Sequence, residues 1–232
     1  MNLPKLDSRL ETALTYLRKG KVMADIGTDH AYLPIYSVLS GISSAALASD
    51  INQGPCERAD KNVRAYGLAD KIRVICCDGL AKAQEFSPED VIIFGMGGEL
   101  IAKIIDDAPF VKDERIRLIL QPMTKAEILR EYLAKNGFSV VSETLSEAVG
   151  RQYFTICAEF DGTIREFDDI EYLLGKFNLE NNQGDPIFLK IVDRNIKAAE
   201  IKIAGKEKAG DDAAEEKALL ARLNKIKEGQ QK

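Results

Sequence analysis

The sequence predicts an α/β fold in which a mostly parallel seven-stranded sheet ends in an antiparallel hairpin and is followed by a C-terminal helical hairpin. Three observations carry this. Short apolar runs alternate with segments of helical period through the first two-thirds of the chain, and each run ends at Gly, Asp or Pro. After about Asp161 the strand-like runs cease and only helical patterns remain. A chain of 232 residues holds one such domain plus a smaller accessory element.

Taken in order, Leu6, Leu10, Ala13, Leu14 and Leu17 recur at helical spacing, with Ser8 as the expected cap of that first helix. Five apolar runs follow at Lys21–Ile26, Ala45–Ser49, Ile72–Cys76, Val91–Phe94 and Arg117–Leu120, all too short for helices. Between them the pattern turns helical at Tyr32–Leu39, Cys56–Tyr66, Glu99–Asp106 and Thr124–Asn136, the last stopped by Asn136-Gly137. Such alternation builds a parallel sheet through crossover helices. Phe138–Glu143 and Gln152–Phe160 then follow without a helix between them, which makes them an edge hairpin.

Beyond this point Glu166–Phe177 reads as a short helix and Asn178–Asp185 as a polar loop. Pro186 opens a helix running to about Lys208, since its missing N–H would be an orphan in the first turn anyway. Ala209-Gly210-Asp211-Asp212 is a break and cap before a last helix to about Lys227. Phe188, Ile191, Val192, Ile196, Ala199 and Ile203 share one face, and Leu219, Leu220, Leu223 and Ile226 are placed to pack against it. The result is a coiled-coil-like antiparallel pair. The expected domains are residues 1–161 and 162–232.

Composition narrows the class. Met1-Asn2-Leu3-Pro4-Lys5 lacks the apolar run of a signal peptide, and no stretch approaches the roughly 20 apolar residues that span a bilayer. A cytoplasmic protein with no membrane partner is expected. Cys56, Cys76, Cys77 and Cys157 show no C-x-x-C spacing and His30 is the single histidine, so no metal is expected. Cys76, Cys77 and Cys157 lie in apolar runs and read as small hydrophobes. From Asp185 onward there are 11 basic and 9 acidic residues, against 21 and 28 before it, so the net charges are +2 and −7. Any nucleic-acid contact then requires a local basic patch.

The informative stretch is Val22–His30, a strand running into a turn and a helix. A dinucleotide site needs G-x-G-x-x-G here, but only Gly27 is present; Asp29 takes the second glycine position and Tyr32 the third. A pyrophosphate needs open backbone N–H groups, and two nearby carboxylates repel it. Asp25 and Asp29 suit a cationic ligand without phosphate, S-adenosylmethionine, whose sulfonium and amino group are positive. Asp50, about 20 residues past Gly27, is placed to accept both ribose hydroxyls, as in NAD proteins. Asp78-Gly79, after the third strand, is placed at the adenine amino group. Each aspartate alone has an ordinary alternative as a cap or turn residue; three in order after successive strands point to one cofactor. His30 reads as a wall of that site rather than a proton carrier, and Leu33, Ile51, Gly95 and Met96 complete the candidate set.

The run Asp25-Ile26-Gly27-Thr28-Asp29-His30-Ala31-Tyr32-Leu33-Pro34 is followed by Gly54-Pro55 and Asn62-Val63. Then come Asp78-Gly79-Leu80, Gly95-Met96-Gly97-Gly98 and Leu118-Ile119-Leu120-Gln121-Pro122. In this combination the chain resembles the bacterial TrmK family, which methylates N1 of the adenine at about position 22 of tRNA. The resemblance covers roughly residues 6 to 160 and extends more loosely into the helical tail. It implies a Rossmann-like class I methyltransferase domain, S-adenosylmethionine as cofactor and tRNA as partner; the sequence leaves the oligomeric state open between monomer and weak dimer. Asp25 and Gln121 are the candidate catalytic residues; Tyr32, Gly97, Gly98, Gln121 and Pro122 are the candidate substrate contacts.

Many amino methyltransferases carry (Asn/Asp)-Pro-Pro-(Tyr/Phe) after the fourth strand, where this chain has Gly95-Met96-Gly97-Gly98. Adenine N1 has an in-plane lone pair and no proton to lose, so alignment can carry the reaction without that motif. The glycines admit an adenine edge-on, or serve a turn with φ > 0, or both. Pro122 is expected to stop the fifth strand, and Met123 stands where family members often have Asn. Basic candidates for tRNA are Arg9, Arg18, Lys19, Lys21, Lys125, Arg130 and Arg151, with the Lys-rich hairpin as a second surface. Two other readings fit parts of the pattern. One is a small-molecule or protein methyltransferase whose tail is a lid or dimerisation arm; the other is a nucleotide-binding module without turnover.

Overall fold

The computed structural model describes residues 3–148 and 150–229, so the outermost residues of both expected domains, 1–2 and 230–232, lie outside the described residues. The chain divides into two compact units at Glu166/Phe167.

The first unit runs α1 (Ser8–Tyr16), β1 (Val22–Ile26), α2 (Tyr32–Leu39), β2 (Ala45–Asp50), α3 (Gln53–Ala65), β3 (Ile72–Cys76), β4 (Asp90–Gly97), α4 (Gly98–Asp106), β5 (Arg117–Thr124), α5 (Ala126–Lys135), β6 (Phe138–Ala148) and β7 (Arg151–Phe160). Its seven strands form one sheet in the order β3-β2-β1-β4-β5-β7-β6. β1 to β5 are parallel, and β7 pairs antiparallel with both β5 and β6. This is the Rossmann-like arrangement with a terminal hairpin. The central strands β1 and β4 are covered on both faces, which is why Met23, Ala24, Val91, Ile92 and Ile93 read as unbroken apolar runs and are fully buried. Strand order reverses between β1 and β4, and a crevice for ligands opens there at the carboxyl ends of the strands.

Several local expectations are corrected. Asp7, not Ser8, caps α1: its carboxylate accepts from the Arg9 and Leu10 N–H groups, and a charged acceptor is the stronger partner. Pro122 does not stop β5; it pairs with Met96 and the strand runs on to Thr124. β4 likewise continues past Phe94 through a bulge at Gly95, the register slipping between Phe94 and Met96. β6 extends five residues beyond Glu143, twinned with β7 as a long ribbon.

The second unit holds α6 (Asp169–Leu174), α7 (Lys176–Asn181), α8 (Pro186–Ala209) and α9 (Ala214–Gly229). The single short helix expected over Glu166–Phe177 is two, because Gly175 at φ +87 breaks it, and α7 takes in residues expected to be loop. Asp185 caps α8 through the Ile187 and Phe188 N–H groups, Pro186 fills its first turn, and Gly210 at φ +80 ends it. The predicted stripe Phe188, Ile191, Val192, Ile196, Ala199 and Ile203 is buried, as is Leu223 of α9. Across this hairpin the Glu216 carboxylate, almost fully buried, is held by Lys202 at 2.7 Å and Lys206 at 2.8 Å.

Candidate active site

β1 delivers Asp25 and Ile26 to the sheet's carboxyl edge, and the chain then turns sharply. Gly27 has φ +83, and its N–H and that of Thr28 both bond the Ser49 carbonyl, at 2.8 and 2.9 Å. A Cβ at residue 27 would lie 2.3 Å from the Met96 methyl, so Met96 of β4 rests directly on this glycine. Thr28 accepts the Ala31 N–H at 3.1 Å, which lets Ala31 sit at φ +55 just before α2. α3 braces the same loop from the side. Asn62 donates to the His30 carbonyl at 3.0 Å, and Arg58 pairs with Asp29. The His30 ring stacks on Tyr32 at 5.1 Å and its Nε2 lies 3.1 Å from Asp29.

Asp25, Gly27, Thr28, Asp29, His30, Tyr32, Leu33, Phe94 and Gly95, with Arg9 and Leu10 of α1, line one cleft of about 240 Å³. Seven predicted site residues thus converge. Asp29 differs from expectation in one respect: its charge is engaged by Arg58, which leaves Asp25 as the cleft's unneutralised carboxylate. Asp25 is 8% exposed and has no ion-pair partner among the described residues. Burial pushes its carboxyl up to about 6, against a hydrogen bond from Thr28 that favours the anion.

The other predicted residues lie along the same edge but outside this cleft. Asp50 ends β2, where its Oδ1 accepts the Asn52 backbone N–H at 2.7 Å; Ile51 beside it is 60% exposed. Asp78 and Gly79 follow β3 on the surface of that edge, Gly79 at φ +48 against Ile104. Of Gly95, Gly97 and Gly98 only Gly95 has φ > 0, at +79, and a Cβ there would meet nothing within 4 Å. Gly98 is confined instead: its Cβ would lie 2.1 Å from the Lys125 carbonyl, so the backbone of β5's end packs where a side chain would go. Gln121 is fully buried; its Oε1 accepts the Gly95 N–H at 3.3 Å and its amide donates to the Pro122 carbonyl at 3.2 Å. It therefore shapes the bulge that faces the cleft. Pro122 is buried beside it, and Gly97 lies 3.4 Å from Thr124 Oγ1 by the same Cβ measure.

Sequence reasoning left Leu10, Thr28 and Phe94 out of the site, and assigned Arg9 to RNA rather than to the cleft. Thr28 stands inside the acidic loop and had a readable signal, a hydroxyl one turn before a helix. Arg9, Leu10 and Phe94 reach the cleft only because α1 and β4 pack there. The basic candidates are corrected more sharply. Arg130 is buried against Glu143 at 2.8 Å and stacks on Phe154 at 4.3 Å, so it supports α5 and the ribbon rather than a surface. Arg18 is consumed by Asp90 at 2.7 Å and by the carbonyls of Glu89 and Arg115. Lys21 pairs with Glu89 and Lys125 with Glu99. Among the described residues no group of three His, Cys, Asp or Glu side chains could hold a metal, and no helix is long and apolar enough to cross a membrane.

Comparison with known proteins bears on this geometry. A family model described as a methyltransferase domain matches residues 6–156. A tRNA (adenine(22)-N(1))-methyltransferase of Bacillus subtilis is 39% identical over 175 residues, 75% of this chain and 74% of that one. The crystal structure of the B. subtilis m1A22 tRNA methyltransferase TrmK superposes with a TM-score of 0.81 at 34% identity, covering 99% of this chain and 98% of that one. A Streptococcus pneumoniae structure in complex with S-adenosyl-L-methionine gives a TM-score of 0.83 at 28% identity, covering 96% of this chain and all of that one.

Proposed function

The chain belongs to the methyltransferase-domain family and, within it, to the tRNA (adenine(22)-N(1))-methyltransferases, and from that premise we propose that it methylates N1 of the adenine at about position 22 of tRNA, with S-adenosylmethionine as donor. The observation that carries this is the unpaired, buried Asp25 carboxylate in a cleft at the sheet's switch point. Such a group fits a cationic ligand and rejects a pyrophosphate. Bound there, S-adenosylmethionine supplies a methyl group on a positively charged sulfur to an adenine N1 that has a lone pair and no proton to lose.

The chain's own residues do the rest. Asp25 holds positive charge at the cleft floor. Asp50 and Ile51, and Asp78 with Gly79, offer the nucleoside an acceptor and a flat surface along the neighbouring strand ends. Asp29, His30 and Leu33 form one wall, braced by Arg58 and Asn62. Gly95 and Met96 face the reacting centre, and Gln121 fixes the bulge that presents them. Tyr32, 39% exposed at the mouth, offers a ring for the incoming base, with Gly97, Gly98 and Pro122 shaping the backbone on that side. Catalysis then rests on alignment and on fixed carbonyl dipoles toward the charge developing on the adenine. N1 is occupied in a Watson–Crick pair, so the base must be unpaired or extruded first.

The unit ending at Glu166, five residues beyond the expected boundary, serves as the cofactor-binding catalytic domain, and the lysines of the helical unit that begins at Phe167 offer phosphates a second surface. A tRNA substrate places the protein in the cytoplasm. Incubation with labelled S-adenosylmethionine and unmodified tRNA should place label on N1 of one D-arm adenine. Label on a small molecule or protein, with none on any tRNA, would favour the other substrate class.

A further inference from the structure

Three of the four cysteines gather where the ends of β2 and β3 meet the first turn of α3. The Cys56 Sγ lies 3.4 Å from the carbonyl oxygens of both Asp50 and Ile75, and the Cys76 Sγ lies 3.4 Å from that of Ile51. The strand register sets Cys76 opposite Asp50, and the Cys56 and Cys76 thiols are within hydrogen-bonding reach of each other. Cys77 stands apart from this pair. Successive residues of an extended chain point to opposite sides, and its thiol lies instead 3.7 Å from the Gly79 carbonyl. Cys157 is buried in β7, on the other side of the sheet's centre from β3.

The two paired thiols differ in access. Cys76, expected from its apolar run to be a small hydrophobe, is exposed, whereas Cys56 is buried. Burial, with the Cys76 thiol beside it, pushes the Cys56 thiol up to about 11, so Cys56 stays protonated while Cys76 meets solvent. An accessible thiol backed by a second one suits stepwise oxidation, in which the first reacts and the second resolves.

We propose that Cys56 and Cys76 form a reversible disulfide under peroxide, and that this bond weakens donor binding by the adjoining Asp50–Ile51 turn; the second half rests on the place given above to those two residues. The Cys76 thiolate attacks one peroxide oxygen, the O–O bond breaks and hydroxide leaves, which makes Cys76 a sulfenic acid. The Cys56 sulfur then attacks the Cys76 sulfur and the S–O bond breaks. The departing hydroxide takes the Cys56 proton and leaves as water. The first hydroxide takes the proton that Cys76 released, so two thiols and one peroxide give one disulfide and two waters. An S–S bond is only about 2 Å long, so the sulfurs draw together and away from the Asp50 and Ile51 carbonyls that they contact in the dithiol. In a reducing compartment the dithiol is the resting form and the bond is transient.

Treatment of the full chain with hydrogen peroxide, followed by alkylation and peptide mapping, should link Cys56 to Cys76 and lower the free thiols from four to two. Dithiothreitol should restore them. Calorimetric titration with S-adenosylhomocysteine should show binding about tenfold weaker in the oxidised protein and regained on reduction. Cys76→Ser, a change at an exposed position, should bind as the reduced wild type does both before and after peroxide, and Cys77→Ser should still form the link. Higher oxides of Cys76 with no link, or a link through Cys77 or between two chains, would overturn the disulfide. A Cys56–Cys76 link that leaves binding unchanged would overturn its coupling to the donor. Reduced wild type that does not bind S-adenosylhomocysteine would overturn the cofactor reading itself, and the peptide map would still decide the disulfide.

Discussion

Two buried aspartates on adjacent strands of one sheet meet opposite fates. Asp90 opens β4 at the amino edge and is fully buried, but Arg18 satisfies it twice, through its backbone N–H at 2.8 Å and its Nε at 2.7 Å. Asp25, near the end of β1 at the carboxyl edge, is almost as buried and has a threonine hydroxyl in place of a cation. Burying a charge is costly unless it is paired, so the first arrangement stabilises the fold and the second opposes it. On the function proposed above, a cationic ligand supplies the missing partner. In this protein the buried aspartate at the amino edge is paired and stabilises the fold, while the one at the carboxyl edge is unpaired and faces the cleft.

The contrast can be broken by mutation. The largest effect is expected at the paired site: Asp90→Ala strands the Arg18 guanidinium and should lower unfolding free energy by about 3 kcal/mol, read from denaturant melts, with cofactor affinity intact in the protein that remains folded. Asp25→Asn should do the reverse. It should weaken S-adenosylhomocysteine by about 10- to 100-fold in a titration, because a charge-assisted contact to the ammonium is lost. It should also raise stability at pH 7 by about 1–3 kcal/mol. The sign follows from the protonation states: with the folded pKa at about 6 and the unfolded value at 3.8, the native state keeps its proton longer, so stability falls as pH rises between those values. A destabilised Asp25→Asn protein would mean that the carboxylate is structural after all.

The smallest effect is graded. Since the ligand favours ionised Asp25, affinity should be flat above about pH 7 and fall as pH drops through about 6, approaching tenfold per unit below it. Titrations between pH 5 and 8 read this directly, and Asp25→Asn should flatten the curve. A wild-type profile already flat across pH 6 would place the ligand's charge elsewhere.

What could be read in advance divides along physical lines. The succession of strands and helices, the edge hairpin and the helical pair follow from periodicity, whereas the order of the strands across the sheet does not; the loop Asp25–His30 pointed to a cationic ligand by carboxylates where a phosphate site needs glycine. The caps were less legible: Ser8 and Asp7 are both good N-caps one residue apart, and the choice depends on where the first helical turn closes. Gly98 illustrates the other limit. As part of a Gly-rich run it reads as room for a base, yet the space beside it is filled by the Lys125 backbone, a residue 27 positions away.

The sequence alone determined the sheet and the chemistry of its cofactor loop, because hydrophobic period and the residue types of a single turn are local properties. Only the tertiary structure decided which charges are spent and which are free. Arg18 and Arg130 look in sequence like Arg9, but packing sets the first two against Asp90 and Glu143 and leaves Arg9 an open N–H edge at the cleft. It also set Arg58 on Asp29 and left Asp25 alone. Charge pairing depends on partners brought from distant elements and on how much water they exclude, and neither is written in the spacing of residues along the chain.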